Sequence, residues 1–210
     1  MGLGMVAMLS GVMYWKIGSM KVPAYQVLRV IDGDTFETTE KQLIRLADVF
    51  APEPENCGGS EAKDQLIKLI KDKPVYLKVT YRDKYMRLLS FVYTPEGFVN
   101  EKMVENGKAV YSLSSAKNPE TEILEKAGKT AVEKKLGVYG PECTQIQNTK
   151  KPNCVIKGNI RKGGTGKIYS LPGCESYAST IVQLHLGDQW FCTEEEAKKV
   201  GFVKAGGCGK

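Results

Sequence analysis

At 210 residues and 42% hydrophobic content, the chain can bury an ordinary core, which excludes wholesale disorder. A formal net charge of +6 and a pI near 8.9 suit an anionic partner, nucleic acid or a membrane surface, without choosing between them. The first 15 residues, "MGLGMVAMLSGVMYW", carry no charged side chain. As a helix they would reach roughly 22 Å, short of the ~30 Å hydrocarbon core, and Lys16 to Met20 extend this to a marginal span. Residues 1–20 therefore read as a signal peptide or a membrane anchor, with an exported or membrane-tethered protein behind them. Two features oppose export: no Lys or Arg precedes the run, and Lys16 and Lys21 follow it. A buried N-terminal helix or a frayed extension is the competing reading.

"YQVLRVI" (25–31) is β-branched and apolar, a strand. "DGD" (32–34) is a turn, "TFETT" (35–39) a returning strand and "QLIRLADV" (42–49) a third. "APEPENCGG" (51–59) is loop. Ser60 is expected to cap a helix in which Leu66, Ile67, Leu69 and Ile70 recur at helical spacing. "PVYLKVTY" (74–81) and "RLLSFVY" (87–93) are two more strands around "RDKYM". Helices follow at 98–107 and 119–137. The first three strands are joined by turns too short for crossovers, so a parallel α/β sheet is excluded. The expectation is an α+β fold with a mostly β core: a small antiparallel barrel with three packed helices, a five-stranded oligonucleotide-binding (OB) barrel being one candidate.

Residues 141–153 read as a polar, Pro-bracketed linker, and 154–210 as a small cysteine-rich α+β module. Thr193 and Glu196 form a capping box at the start of its helix. Cys57, Cys143, Cys154, Cys174, Cys192 and Cys208 are even in number and contain no C-x-x-C pair. That spacing does not write a standard zinc ribbon and fits disulfides in an oxidising compartment. A metal site built from Cys154, Cys174, Cys192 and Cys208 is the alternative. Trp190 and Phe191 are expected in the core of this module.

Candidate chemistry gathers before residue 90. Asp32 and Asp34 lie in the "DGD" turn, Glu53 in the loop after the third strand, Arg45 in that strand and Arg87 in "DKYMR". Phosphodiester hydrolysis needs an oriented water and neutralised phosphate oxygens. A glutamate, two arginine forks and a hard cation held by carboxylates supply both. Each signal alone is weak: Asp-Gly-Asp is usually a turn, and Arg87 has Asp83 near it as a ready partner.

The succession "VIDGDTF", "IRLADVFAPE", "EAKDQLIKLI", "DKYMRLLSFVY", "VNEKMVENGKA" and "GVYG" resembles the staphylococcal (thermo)nuclease family over roughly residues 25–140. The resemblance implies an OB-type barrel with three helices and calcium-dependent cleavage of DNA and RNA. It implies Asp34 and the backbone carbonyl of Ala51 as calcium ligands, with Glu53 acting on the ion's water and on the attacking water. It implies Arg45 and Arg87 on the scissile phosphate, and Lys84, Tyr85 and Tyr111 as substrate-binding residues. The sequence departs from the pattern where Phe50 replaces the second calcium-ligating aspartate. Asp48 lies two residues earlier, about 6.6 Å along a strand. Met86 stands where the family turn has glycine, so a positive φ there would strain the turn that places Arg87. The C-terminal part is similar to a small cysteine-containing module often appended to bacterial nuclease-like proteins. Two functions are therefore expected: a calcium-dependent endonuclease weakened by Phe50, or a catalytically impaired nuclease-derived module that binds nucleic acid.

Overall fold

The computed structural model describes residues 24–114, 116–161 and 166–208; the segment 1–20 lies outside them. The described residues form a mixed α+β structure rich in strands, with four α-helices among them.

The first sheet runs β1 (Val27–Val30), β2 (Thr35–Thr38), β3 (Leu43–Leu46), β6 (Leu88–Thr94) and β5 (Tyr76–Arg82), with β7 (Gly97–Phe98) paired to β6. All five strands expected from alternation are present. Two expectations need correcting. The sheet is not wholly antiparallel, because β3 pairs β6 in parallel, Arg45 opposite Leu89. The helix α1 (Gly59–Ile70) and β5 lie between these strands, and only such a crossover returns the chain in the same direction. Nor is a closed barrel formed among the described residues. One antiparallel bridge, Tyr25 to Val75, joins the chain ahead of β1 and β5, the two ends of the strand order.

The third strand is shorter than its apolar run. It stops at Leu46, and Asp48 takes a left-handed φ of 57°. Val49–Phe50 then form a separate strand, β4, paired with β8 (Val110–Tyr111). Asp48 and Phe50 therefore do not share one continuous strand. The Asp48 carboxylate is buried and accepts from Ser114 N (2.7 Å) and Ser114 Oγ (2.9 Å).

Helix α1 begins one residue before the expected cap. Gly58 is its N-cap, in the left-handed region at φ 84°. Helix α2 (Val99–Glu105) is locked to the sheet by buried Asn100. Its amide donates to Ala47 O and Ser90 O and accepts from Val92 N. Helix α3 (Pro119–Glu133) starts on a capping box of Asn118 and Thr121, with Pro119 at the first helical position. The core between sheet and helices holds Phe36, Ile44, Leu66, Phe91, Met103 and Leu124. Each such side chain contributes about 1.5–3 kcal/mol of burial.

The C-terminal sheet runs β13 (Gln189–Phe191), β10 (Ile156–Ile160), β11 (Lys167–Ser170) and β14 (Val203–Lys204). Its core is Ile156, Tyr169, Phe191, Ala197 and Phe202. Phe191 is core as expected, while Trp190 is half-buried and donates to Gln145 Oε1 at 2.8 Å. Helix α4 (Glu194–Lys199) is capped by Thr193, but Glu196 accepts from Cys192 N, not from the cap residue's own amide. Within 141–153, Thr144–Gln145 form β9, paired with β12 (Val182–Gln183).

All six cysteines are in disulfides: Cys57–Cys143, Cys154–Cys192 and Cys174–Cys208. A four-thiolate metal site is thereby excluded, because a ligating sulfur must be a thiolate. No helix among the described residues is long and apolar enough to cross a membrane.

Candidate active site

Asp34 follows the "DG" turn and opens β2. Its backbone amide takes the Asp32 carboxylate at 2.9 Å, and its carbonyl takes Leu46 N at 2.8 Å. The side chain is thus aimed inward and is buried. One carboxylate oxygen, Oδ1, is ion-paired with Arg45 Nη1 and accepts from Thr35 Oγ1. The other, Oδ2, accepts from Ala51 N at 3.0 Å. Burial pushes this carboxyl up to about 6, and neighbouring Asp32 pushes the same way; Arg45, the Ala51 amide and Thr35 pull it back. The β2–β3 register sets the pair, since Thr35 lies opposite Arg45.

Arg87 belongs to the β5–β6 turn. Asp83 organises that turn completely. Asp83 Oδ1 accepts from Tyr85 N and Arg87 N, and Oδ2 accepts from Arg87 Nε at 2.9 Å. Asp83 O accepts from Met86 N, and Asp83 N donates to Arg87 O. Burial alone would raise the Asp83 carboxyl, but the Arg87 amide and guanidinium and the Tyr85 amide hold it below the usual carboxylate range. Met86 sits at φ 64°, the left-handed conformation a glycine adopts without cost. Tyr85 is 65% exposed, with Lys84 Nζ 5.0 Å and the Arg87 guanidinium 5.4 Å from its ring.

Arg45 faces Leu89 in the parallel pair. Arg87 is two residues before Leu89, so side-chain alternation carries both arginines off one face of the sheet, about 6.6 Å apart along the strand. Both side chains are mostly shielded, at 21% and 24% exposure. Each guanidinium has more N–H donors than its one carboxylate partner uses. Glu53 lies in the exposed loop after β4, its carbonyl accepting from Asn56 N at 2.9 Å. Phe50, half-buried, pairs with Val110. Tyr111 lies beside α3, its Cβ 3.2 Å from where a side chain on Gly128 would begin.

The chain thus joins Asp34, Arg45 and Ala51 in one hydrogen-bonded cluster, and brings Arg87, Lys84 and Tyr85 together on one turn. Sequence reasoning missed the Asp48–Ser114 lock. The positive φ at Asp48 hides it, because the stretch reads as continuous strand.

A calcium ion takes about 6–8 oxygen ligands. The cluster offers one buried carboxylate, and both its oxygens already accept from internal donors. Ala51 turns its N–H toward that carboxylate. The Phe50 side chain brings no oxygen, the neighbouring Asp32 already takes the Asp34 amide on its Oδ1, and Asp48 is committed to Ser114. Among the described residues no three His, Cys, Asp or Glu side chains converge. This donor set does not fit calcium as it stands.

Residues 43–140 match the family model described as staphylococcal nuclease homologue. Over 88 residues the chain is 39% identical to an uncharacterized endonuclease of Escherichia coli, covering 40% of this chain and 58% of that protein. It is 34% identical over 88 residues to an uncharacterized endonuclease of Haemophilus influenzae, covering 40% and 49%. It is 30% identical over 125 residues to a staphylococcal-like nuclease of Arabidopsis thaliana, covering 59% and 36%. The chain thus spans 58% or less of the length of these curated relatives. The matched stretch holds Arg45, Glu53 and Arg87, and it is over residues 43–140 that the chain is similar to the staphylococcal nuclease homologue family.

Proposed function

We propose that this chain is a nuclease hydrolysing phosphodiester bonds of DNA or RNA at the face carrying Arg45 and Arg87. The observation that supports it most is that two shielded arginines are each held by a carboxylate of their own. Asp34 orients Arg45 and Asp83 orients Arg87. A guanidinium fixed by its own acid does not need to be ordered when substrate arrives, so its free N–H groups meet the phosphate oxygens at little entropic cost. Planar forks on non-bridging oxygens stabilise the charge that grows as the water attacks. Glu53, exposed in the loop after β4, is the candidate base that takes the water's proton. Lys84 and Tyr85 extend the surface along the strand, the ammonium toward a neighbouring phosphate and the ring toward a base. Tyr111 is assigned to the same substrate surface on the family pattern alone. Calcium dependence is the finer expectation of the family. The donor set above is too short for it, and no step described here goes through the ion.

A second reading has its own support. Arg45 already neutralises Asp34, and Phe50 supplies no ligand, so the site is also suited to hold phosphate without cutting it. The three disulfides favour an oxidising compartment outside the cytoplasm, and residues 1–20 are the proposed route there, as signal or anchor.

The deciding experiment incubates purified protein with single-stranded DNA and RNA, in calcium and then in chelator. Cleavage that falls about 100-fold or more in Glu53→Gln and in Arg87→Ala is expected. A Glu53→Gln rate equal to wild type removes the base assignment. Salt-dependent binding with no cleavage under either condition moves the chain to the binding reading.

A further inference from the structure

Glu53 is positioned by backbone alone. It precedes Pro54, which biases its backbone to extended conformations. Its carbonyl is clamped from two sides. Asn56 N donates to it at 2.9 Å, and Gly59, the first residue of α1, packs so close that a Cβ there would lie 1.9 Å from the same oxygen. Between those two contacts sits Cys57, bonded to Cys143. At Gly58, φ 84°, a Cβ would lie 3.8 Å from Cys143 Sγ and 3.9 Å from the Pro52 ring. Cys143 is in turn fixed from the C-terminal side. Its carbonyl accepts from Leu184 N at 2.8 Å, the next two residues pair with β12, and Gln145 accepts from Trp190. A line of hydrogen bonds and one disulfide thus runs from the C-terminal part to the turn that carries Glu53. Cys57 is half-buried and Cys143 is 4% exposed, and neither is in the main hydrophobic cluster under the first sheet.

We propose that the Cys57–Cys143 disulfide is a positioning element of the active site, which ties Glu53 to the C-terminal part of the chain. This rests on the assignment of Glu53 as base. The turn from 53 to 59 is otherwise held by short-range hydrogen bonds, and exposed segments held that way open locally. A displacement of about 1 Å at a reacting group costs on the order of 100-fold in rate. The arginines are held by Asp34 and Asp83 rather than by this turn, so substrate binding should be spared.

The test compares the full chain with Cys57→Ser/Cys143→Ser, and with Cys174→Ser/Cys208→Ser as control. In the first pair kcat on single-stranded DNA should fall by at least about tenfold while KM stays within about twofold. Amide exchange at Asn56 should accelerate while Leu46 and Ala47 stay protected. The control should change none of these. A kcat equal to wild type, or an equal fall in the control pair, overturns the proposal. Should the serine pair not fold, Cys57→Ala/Cys143→Val refills the site with apolar volume but no bond and is judged by the same readouts. The exchange measurement needs no activity. If the wild-type chain cuts nothing, the nuclease reading fails, and unchanged Asn56 exchange separately refutes the tether.

Discussion

Replacing Met86 with glycine should stabilise the protein. The left-handed conformation costs an ordinary L residue about 1–2 kcal/mol, and Met86 adopts it at φ 64°. Glycine removes that cost but gives the unfolded chain more freedom, worth roughly 0.5–1 kcal/mol. No packing is lost, because the Met86 side chain is 65% exposed. The hydrogen bonds of residue 86 run through its backbone: its amide donates to Asp83 O and its carbonyl accepts from Arg82 Nη1 at 2.8 Å. The net gain is about 0.5–1 kcal/mol, a rise in Tm of roughly 1–4 °C for a chain of this size. Thermal unfolding followed by circular dichroism, disulfides intact, measures it. Met86→Ala keeps both the Cβ and the strain and should leave Tm nearly unchanged. Met86→Asn should fall between, since asparagine tolerates this region better. If Met86→Gly lowers Tm, or Met86→Ala raises it as much as glycine does, backbone strain is not what residue 86 contributes.

Phe50→Asp should make cleavage more sensitive to calcium, lowering the concentration needed about tenfold or more. One carboxylate is added at the residue before Ala51, whose amide bonds Asp34, and ~1.4 kcal/mol of ion binding is a factor of ten. Glu53→Gln in that background should abolish the gain, and an unchanged calcium titration of folded Phe50→Asp would mean that more than one ligand is missing. The Asp34 carboxyl sits at about 6 when folded against a usual 3.8. Between those values the native state keeps a proton that the unfolded chain has lost, so in chelator stability should fall as pH rises from about 4 to about 6 and then level off. The full fall is of order 3 kcal/mol at ~1.4 kcal/mol per pH unit. Asp34→Asn should flatten that slope in urea titrations at pH 4.5 and 7, and a wild type that instead gains stability over this window would refute the shift.

Much of the fold is legible because alternation and turn residues report local geometry. The strands at 27–30, 35–38 and 88–94 lie within a residue or two of the runs that announce them. What the sequence hides is set by partners far along the chain. Asp48 breaks β3 only because Ser114, remote in sequence, receives its carboxylate. The parallel pairing of β3 with β6 follows from where α1 and β5 send the chain, not from any residue in either strand. In the site, Asp34, Arg45 and Arg87 are readable as residue types in order. The Arg87–Asp83 pair is readable from spacing as well, but the partners of Asp34 are not, because Thr35 and the Ala51 amide share its carboxylate with Arg45 through contacts that no motif announces. Met86 is the instructive middle case: the missing glycine flags a strained turn, and the turn keeps the glycine's conformation regardless.

The cysteine pairing carries a consequence for how the protein must be made. Cys154 pairs with Cys192 and Cys174 with Cys208, so these two bonds interleave along the chain. A chain that emerges N-terminus first and oxidises each thiol with the next one available would join Cys154 to Cys174, which is wrong for both. Reaching the native pairs from there requires a thiolate to attack a formed disulfide and pass the bond on, a reshuffling that takes seconds to hours depending on the catalyst. Cys57 faces no such choice early on, because no other cysteine emerges until Cys143, 86 residues later. Synthesis with a disulfide isomerase, or refolding in a thiol–disulfide buffer, should therefore yield one isomer, whereas rapid air oxidation should trap mispaired C-terminal bonds beside a correctly closed Cys57–Cys143.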